Sequence, residues 1–283
     1  MGQELLNRGV KPYRSLWGAS ALLFKKYHNT VIKTHLDFIK AGAEVIVTNT
    51  FGSRMRRTLE CNVVNKYAQM NITAGKLAKI AVKKSKKKIL IAGSLPPQNF
   101  TYMSDLGRDL NFIKNGFKSQ AKYLNRYVDF FYLDVMSSYL ECLIAINAIK
   151  SFKKKILIGI HLRKGNKLPS GEKFIDVVKK LEKYKPLGFV ASCVSIEDLK
   201  IVIKDIKKIK VPFGFKINAF KHIPIGWKPD ATNPNLQLGA RKDLTPKKFL
   251  NMCLKFNKMG AKIIGGCCEI KPAHIKKLKI LKK

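Results

Sequence analysis

Apolar runs and amphipathic stretches alternate along this chain. Short apolar runs predict strands at Glu44–Asn49, Lys88–Gly93, Val128–Val135, Lys155–His161, Leu187–Cys193, Pro212–Asn218 and Lys262–Gly266. Between them apolar residues recur at helical spacing, which predicts helices at Thr30–Ala41, Asn62–Val82, Arg108–Arg126, Tyr139–Ser151, Gly171–Lys183, Ile196–Ile209 and Thr245–Met259. Pro246 directly follows Thr245, the order of a capping residue and a proline at the first helical position. Alternating strands and helices are the pattern of βα units around a parallel sheet. Seven such repeats in 283 residues come close to a (β/α)8 barrel, which typically takes roughly 250 residues. No G-x-G-x-x-G turn follows the early strands to favour a dinucleotide-binding sheet. The expectation is one domain over residues 1–283, a (β/α)8 TIM-type α/β barrel. Its first strand is read as truncated at the N-terminus, because Met1–Leu6 leads directly into loop and helix.

Charge changes the picture less than its size suggests. Lys and Arg number 56 against 18 Asp and Glu, a formal net charge of +38. Such a charge invites a nucleic-acid reading. Yet the chain has no RNP-like aromatic motif, no zinc-finger spacing and no basic-region heptads, so nucleic acid is not the favoured partner. Lysines concentrate at Lys83–Lys88, Lys153–Lys155, Lys207–Lys210 and Lys262, each just before a predicted strand. In a parallel barrel these segments gather at the face opposite the active site, which predicts a basic bottom and a less basic mouth. No apolar run reaches the roughly 18 residues of a membrane span, and the N-terminus lacks the pattern of a signal peptide. The six cysteines then fit a reducing cytoplasm.

Three of those cysteines carry candidate chemistry. Cys193 closes the run Leu187–Ser192, and Gly265-Gly266-Cys267-Cys268 closes the run Ala261–Ile264. Two strand ends delivering three thiols form a metal-site pattern, with zinc (Zn2+) the first candidate. Three protein ligands leave one position open, as catalytic sites do. Adjacent cysteines make poor disulfides, since their Cα atoms lie about 3.8 Å apart, below the usual range of about 4.4–6.8 Å. Successive side chains on a strand face opposite ways, so Gly265 and Gly266 are expected to supply unusual backbone angles that aim both thiols at one ion. Cys61, Cys142 and Cys253 fall in helical patterns and read as small core hydrophobes. Thr48, Asn49 and Asn218 close strands at the mouth, where substrate-positioning groups lie, and Asp134 ends another run there.

With these residues in view the chain resembles the homocysteine S-methyltransferases. The resemblance runs through Met1-Gly2-Gln3-Glu4-Leu5, Ala41-Gly42-Ala43-Glu44, Thr48-Asn49-Thr50-Phe51, Gly93-Ser94-Leu95-Pro96-Pro97, Met136-Ser137-Ser138, Asn218-Ala219-Phe220 and Ile263 to Ile270. It implies zinc held by Cys193, Cys267 and Cys268, and Asp134 holding the homocysteine amino group where the family usually has a glutamate. Ser192 stands where the family commonly has asparagine, and Lys271 where it has glycine. The family's aspartate just before the methionine-glycine pair has no counterpart here. Relatives that use folate or cobalamin carry further domains downstream, and this chain ends fifteen residues after Cys268. The expected donor is therefore small: S-methylmethionine, S-adenosylmethionine or a betaine-like cation. Trp17, Phe51, Phe100, Tyr102 and Trp227 are aromatic candidates near the mouth to face it. The expected function is methyl transfer to homocysteine, forming methionine, with oligomeric state left open. The alternative is a catalytically impaired barrel that binds nucleic acid or an acidic partner through its lysines.

Overall fold

Strands form at all seven apolar runs in the computed structural model, which describes residues 1–227 and 233–282. They are β1 (Val45–Val47), β2 (Leu90–Leu95), β3 (Phe130–Met136), β4 (Ile156–Ile160), β5 (Gly188–Val194), β6 (Phe213–Ile217) and β7 (Ile263–Gly266). Each pairs in parallel with the next, in sequence order. Parallel neighbours need crossovers, and the helices Tyr67–Ser85, Leu110–Leu124, Tyr139–Ile149, Phe174–Leu181, Ile196–Val202 and Pro246–Lys258 supply them, with His28–Ala41 preceding β1. The result is a TIM-type α/β fold whose sheet curls towards closure. Among the described residues β1 and β7 are the two edges of that sheet.

Side chains alternate across the sheet and sort into two layers. Phe131, Leu133, Ile158, Ile160, Phe189, Ala191, Phe213, Phe215 and Ile217 point outward into the main core beneath the helices. Ala92, Phe130 and Tyr132 point inward with Val47, Leu157 and Leu187. Side-chain caps tie helix starts, among them Ser138 Oγ, which accepts from Glu141 N–H at 3.1 Å, Ser195 Oγ from Asp198 N–H at 3.0 Å, and Thr245 Oγ1 from Lys248 N–H at 3.3 Å. Each cap contributes about 1 kcal/mol, and the first two capping residues stand within two residues of the ends of β3 and β5. The expected cap and proline at Thr245 and Pro246 are in place.

Two helices differ from their expected bounds for local reasons. The pattern from Asn62 does not open a helix there, because Asn62 adopts a left-handed φ of 56° after the short helix Met55–Glu60. The regular helix begins only at Tyr67. After Val202 the chain tightens into 3-10 turns over Ile203–Lys208. The lysines behave as expected. Lys84, Lys86, Lys87 and Lys88 before β2, Lys153 and Lys155 before β4, Lys207, Lys208 and Lys210 before β6, and Lys262 before β7 are all exposed at the end of the sheet where strands begin.

Gly266 matters for shape. A Cβ built on it would stand 2.2 Å from Ile270 Cγ2, because the chain folds back over the end of β7. Gly266→Ala is expected to destabilise the protein by about 1–3 kcal/mol through overpacking, read as a lower urea midpoint at unchanged slope.

Candidate active site

The thiol cluster depends on a break in strand regularity. Along β5, Ser192 faces the inner layer, where its hydroxyl is hydrogen-bonded to the Tyr132 hydroxyl. Val194 faces the outer core. Cys193 lies between them as one extra residue: Ser192 is opposite Lys216 and Val194 is opposite Ile217, the next residue on β6. This is a β-bulge. Cys193 takes a left-handed φ of 54° within it, a conformation that costs a non-glycine residue of order 1–3 kcal/mol. The bulge turns a side chain that alternation would send outward back towards the inner layer. β3 has a similar irregularity between Leu133 and Met136, with Val135 at φ 75° beside the inward Asp134.

Cys267 and Cys268 follow β7 in the turn beyond it. Cys267 N–H donates to Ile217 O at 2.7 Å, and Cys268 O accepts from Ala219 N–H at 3.0 Å, so β6 holds both residues of the turn. Neither Gly265 nor Gly266 takes a positive φ; the positive φ in this turn, 63°, is at Glu269. Gly266 supplies room instead, as the close approach of Ile270 requires. The sulfur atoms of Cys193, Cys267 and Cys268 all lie within 4.8 Å of one another. Two thiolates each about 2.3 Å from one zinc lie at most about 4.6 Å apart, so the cluster is close to the dimensions of a shared metal. Cys61, Cys142 and Cys253 are buried elsewhere in the cores, as expected.

The surrounding side chains hold this cluster and shape its charge. Asn218 donates from Nδ2 to Cys193 O at 2.8 Å and accepts from Phe220 N–H at 3.0 Å, which ties the bulge to the end of β6. The Tyr102 hydroxyl lies 3.1 Å from Cys193 Sγ, and its ring packs 4.5 Å from that of His161. His161 reaches Ser192 O through Nδ1 at 3.3 Å, and burial pulls its imidazole down to about 4. Thiol hydrogen bonds, first from Cys193 and then from Cys268, pull Cys267 well below the usual thiol range. Lys216 adds to that effect. Its Nζ donates to Asp134 Oδ1 at 3.2 Å and sits 4.6 Å over the Tyr132 ring. Burial pushes the Asp134 carboxyl up, and the Lys216 charge opposes it.

A cavity of about 550 Å³ opens onto these groups. Its lining includes Cys267, Cys268, Asp134, Lys216, Thr48, Asn49, Tyr102, Trp17 and Phe51, together with the segment Met1–Glu4. The structure therefore brings the three cysteines, Asp134, Thr48 and Asn49 to one place. Thr48 Oγ1 accepts from Ser94 N–H at 3.0 Å and is 2.9 Å from Thr50 Oγ1, which itself donates to Ser94 O. Asn49 Nδ2 donates to Gly18 O at 3.0 Å. Asn218 stands behind Cys193 with its amide committed on both sides. Phe100 lies under the Arg56 guanidinium at 4.3 Å, and Trp227 bonds Gln237 Oε1 at 2.7 Å with its ring 6.0 Å from Tyr102. Sequence reasoning missed Lys216 and Ser94 as partners of Asp134. Both sit at inward positions of strands, a signal that alternation counted along β2 and β6 would have given.

The homocysteine S-methyltransferase family profile matches residues 1–281. The chain belongs to that family. It is thus an enzyme of the class that transfers a methyl group to homocysteine. In fold it is similar to the homocysteine methyltransferase MmuM from Escherichia coli in its oxidized form, at 19% identity, covering 99% of this chain and 93% of that one, with a TM-score of 0.78. The apo form of the same protein gives 17% identity, coverage of 99% and 92%, and a TM-score of 0.72. Among the described residues no helix is long and apolar enough to cross a membrane.

Asn218 holds the carbonyl of the bulged Cys193, so if the three thiols share a divalent ion, Asn218→Ala is expected to weaken its binding about 10- to 100-fold. Competition with a chromophoric chelator measures this, with circular dichroism reporting that the fold is kept.

Proposed function

We propose that Cys193, Cys267 and Cys268 hold one zinc ion, and that this enzyme transfers a methyl group from a small sulfonium or ammonium donor to the sulfur of homocysteine, forming methionine. The observation that carries the reading is the three sulfur atoms within 4.8 Å of one another beside a cavity of about 550 Å³. The donor set fits the ion: three thiolates favour zinc over hard cations and leave one position free. Zinc bound there would deprotonate a coordinating thiol, so that the acceptor sulfur is a thiolate at neutral pH although a free thiol titrates near about 8.5.

The chain's own residues bind and orient. Asp134 and Lys216 form an ion pair beside the thiols, in the wall of the cavity that an amino-acid acceptor would enter. Thr48 and Asn49 line the same cavity, each already fixed by a backbone partner, and present rigid polar edges to what enters. Asn218 keeps the Cys193 bulge in shape. The Tyr102 hydroxyl lies beside the Cys193 sulfur. Trp17, Phe51 and Tyr102 line the cavity, with the Arg54 guanidinium 5.5 Å over the Phe51 ring, and an aromatic lining suits a cationic methyl donor such as S-methylmethionine, S-adenosylmethionine or a betaine. Six free thiols suit a reducing compartment, in keeping with a cytoplasmic enzyme. The lysine-rich segments precede the strands and lie at the far end of the sheet, so the net charge of +38 bears little on this chemistry.

Purified protein is expected to carry stoichiometric zinc and to form methionine only when homocysteine and one of the three donors are both present. Cys267→Ser should lose most of the zinc and the turnover together. Full turnover in a zinc-free preparation, read by metal analysis beside a methionine assay, would sink the reading.

A further inference from the structure

Asp134 is already engaged on both oxygens. Oδ1 accepts from Lys216 Nζ at 3.2 Å, and Oδ2 accepts from the Ser94 hydroxyl at 3.0 Å. Its charge is balanced by a lysine that reaches it from β6. Lys216 faces inward at a position where its neighbour on β7 is Gly265 and its neighbour on β5 is Ser192. The lysine stem passes in van der Waals reach of Gly265, where a Cβ would stand 3.5 Å from Lys216 Cγ. The side chain of Lys216 is 18% exposed against 8% for Asp134, so the ammonium is the more accessible member of the pair. Of its three N–H groups, one is hydrogen-bonded to Asp134, Nζ sits 4.6 Å over the Tyr132 ring, and Lys216 lines the cavity that also reaches Cys267 and Cys268.

We propose that Lys216 selects the acceptor by its carboxylate, and that the amino group of the acceptor adds little to binding. An incoming ammonium meets the less exposed member of the pair, a carboxylate with both oxygens already engaged. An incoming carboxylate meets a donor with a proton to give, and the bond it forms is charge-assisted and strong. The acceptor class is then a short-chain thiol carrying a carboxylate a few bonds from sulfur, of which homocysteine is one member. This rests on the homocysteine-acceptor reading above.

The test titrates zinc-loaded protein calorimetrically with three thiols: homocysteine, 4-mercaptobutyrate (carboxylate without amine) and 3-aminopropanethiol (amine without carboxylate). Wild-type protein should bind the first two within about fivefold of each other and the third about 10- to 100-fold more weakly, the span of one hydrogen bond to a charged group. Lys216→Met should weaken the first two by a similar factor and spare or tighten the third, while Lys216→Arg keeps the wild-type order. The double variant Lys216→Met, Asp134→Asn removes both charges and guards against misfolding caused by a buried unpaired carboxylate; it too should lose the preference for carboxylate. The proposal is overturned if wild-type protein binds the amine-only thiol as tightly as homocysteine, or if Lys216→Met weakens all three thiols alike. Should homocysteine itself fail to bind protein of verified zinc content, the acceptor reading fails and this proposal goes with it; homocysteine binding without carboxylate preference overturns the proposal alone.

Discussion

A strand presents successive side chains to opposite faces, so Ser192 and Cys193 cannot both face the inner layer of this sheet while β5 stays regular. The chain resolves the conflict by inserting Cys193 as an unpaired extra residue with a left-handed φ of 54°. Everything at the site depends on that insertion. Without it the Cys193 sulfur would join the outer core beside Ala191, and Cys267 and Cys268 would face an inner layer with no third thiol. The conformation costs of order 1–3 kcal/mol, and a local set of bonds offsets it: the Asn218 amide on the Cys193 carbonyl, His161 on the Ser192 carbonyl and Tyr102 against the sulfur. Each comes from a different element, so the bulge is held from several sides.

The second bulge, on β3, serves the same end by a different side chain. Asp134 faces inward by ordinary alternation with Tyr132, and Val135 absorbs the irregularity at φ 75°. The strand then recovers its pattern at Met136, which returns to the outer core. Bulges are common next to active sites because they re-aim a side chain without disturbing the register elsewhere. Here the caps at Ser138 and Ser195 begin helices directly beyond β3 and β5. The irregular residues are thus confined between a regular strand and an anchored helix.

Much of this was legible in the sequence, and the illegible part has a physical reason. Seven apolar runs located all seven strands, because a strand buried on both faces needs a continuous apolar stretch. The three cysteines could be read together since thiols at the ends of predicted parallel strands converge at one end of the sheet. What the pattern did not reveal was how they converge. A bulge needs no special residue type: Ser192-Cys193-Val194 carries no glycine or proline to mark it. Gly265 and Gly266 invited the wrong explanation for the opposite reason, since glycine signals either unusual angles or close approach and the sequence does not say which. Here it is close approach, of Ile270 onto Gly266. The onset of the helix at Tyr67 was hidden because Asn62 tolerates both helical and left-handed backbone.

Lys216, paired beside the thiols, is a different matter from the lysines on the surface. An exposed lysine keeps its hydration, and at physiological ionic strength its field is screened over about 8 Å, so lysines can accumulate at the strand-starting end of the sheet at little cost to the site. Lys216 has no such freedom. Largely buried, it needs a counter-charge, and Asp134 across the inner layer supplies it. The converse also holds: with Lys216 in place, a carboxylate at position 134 is stabilised by a fixed partner and is less free to serve an incoming cation. The two positions are therefore one feature. A change at either removes the counter-charge of the other.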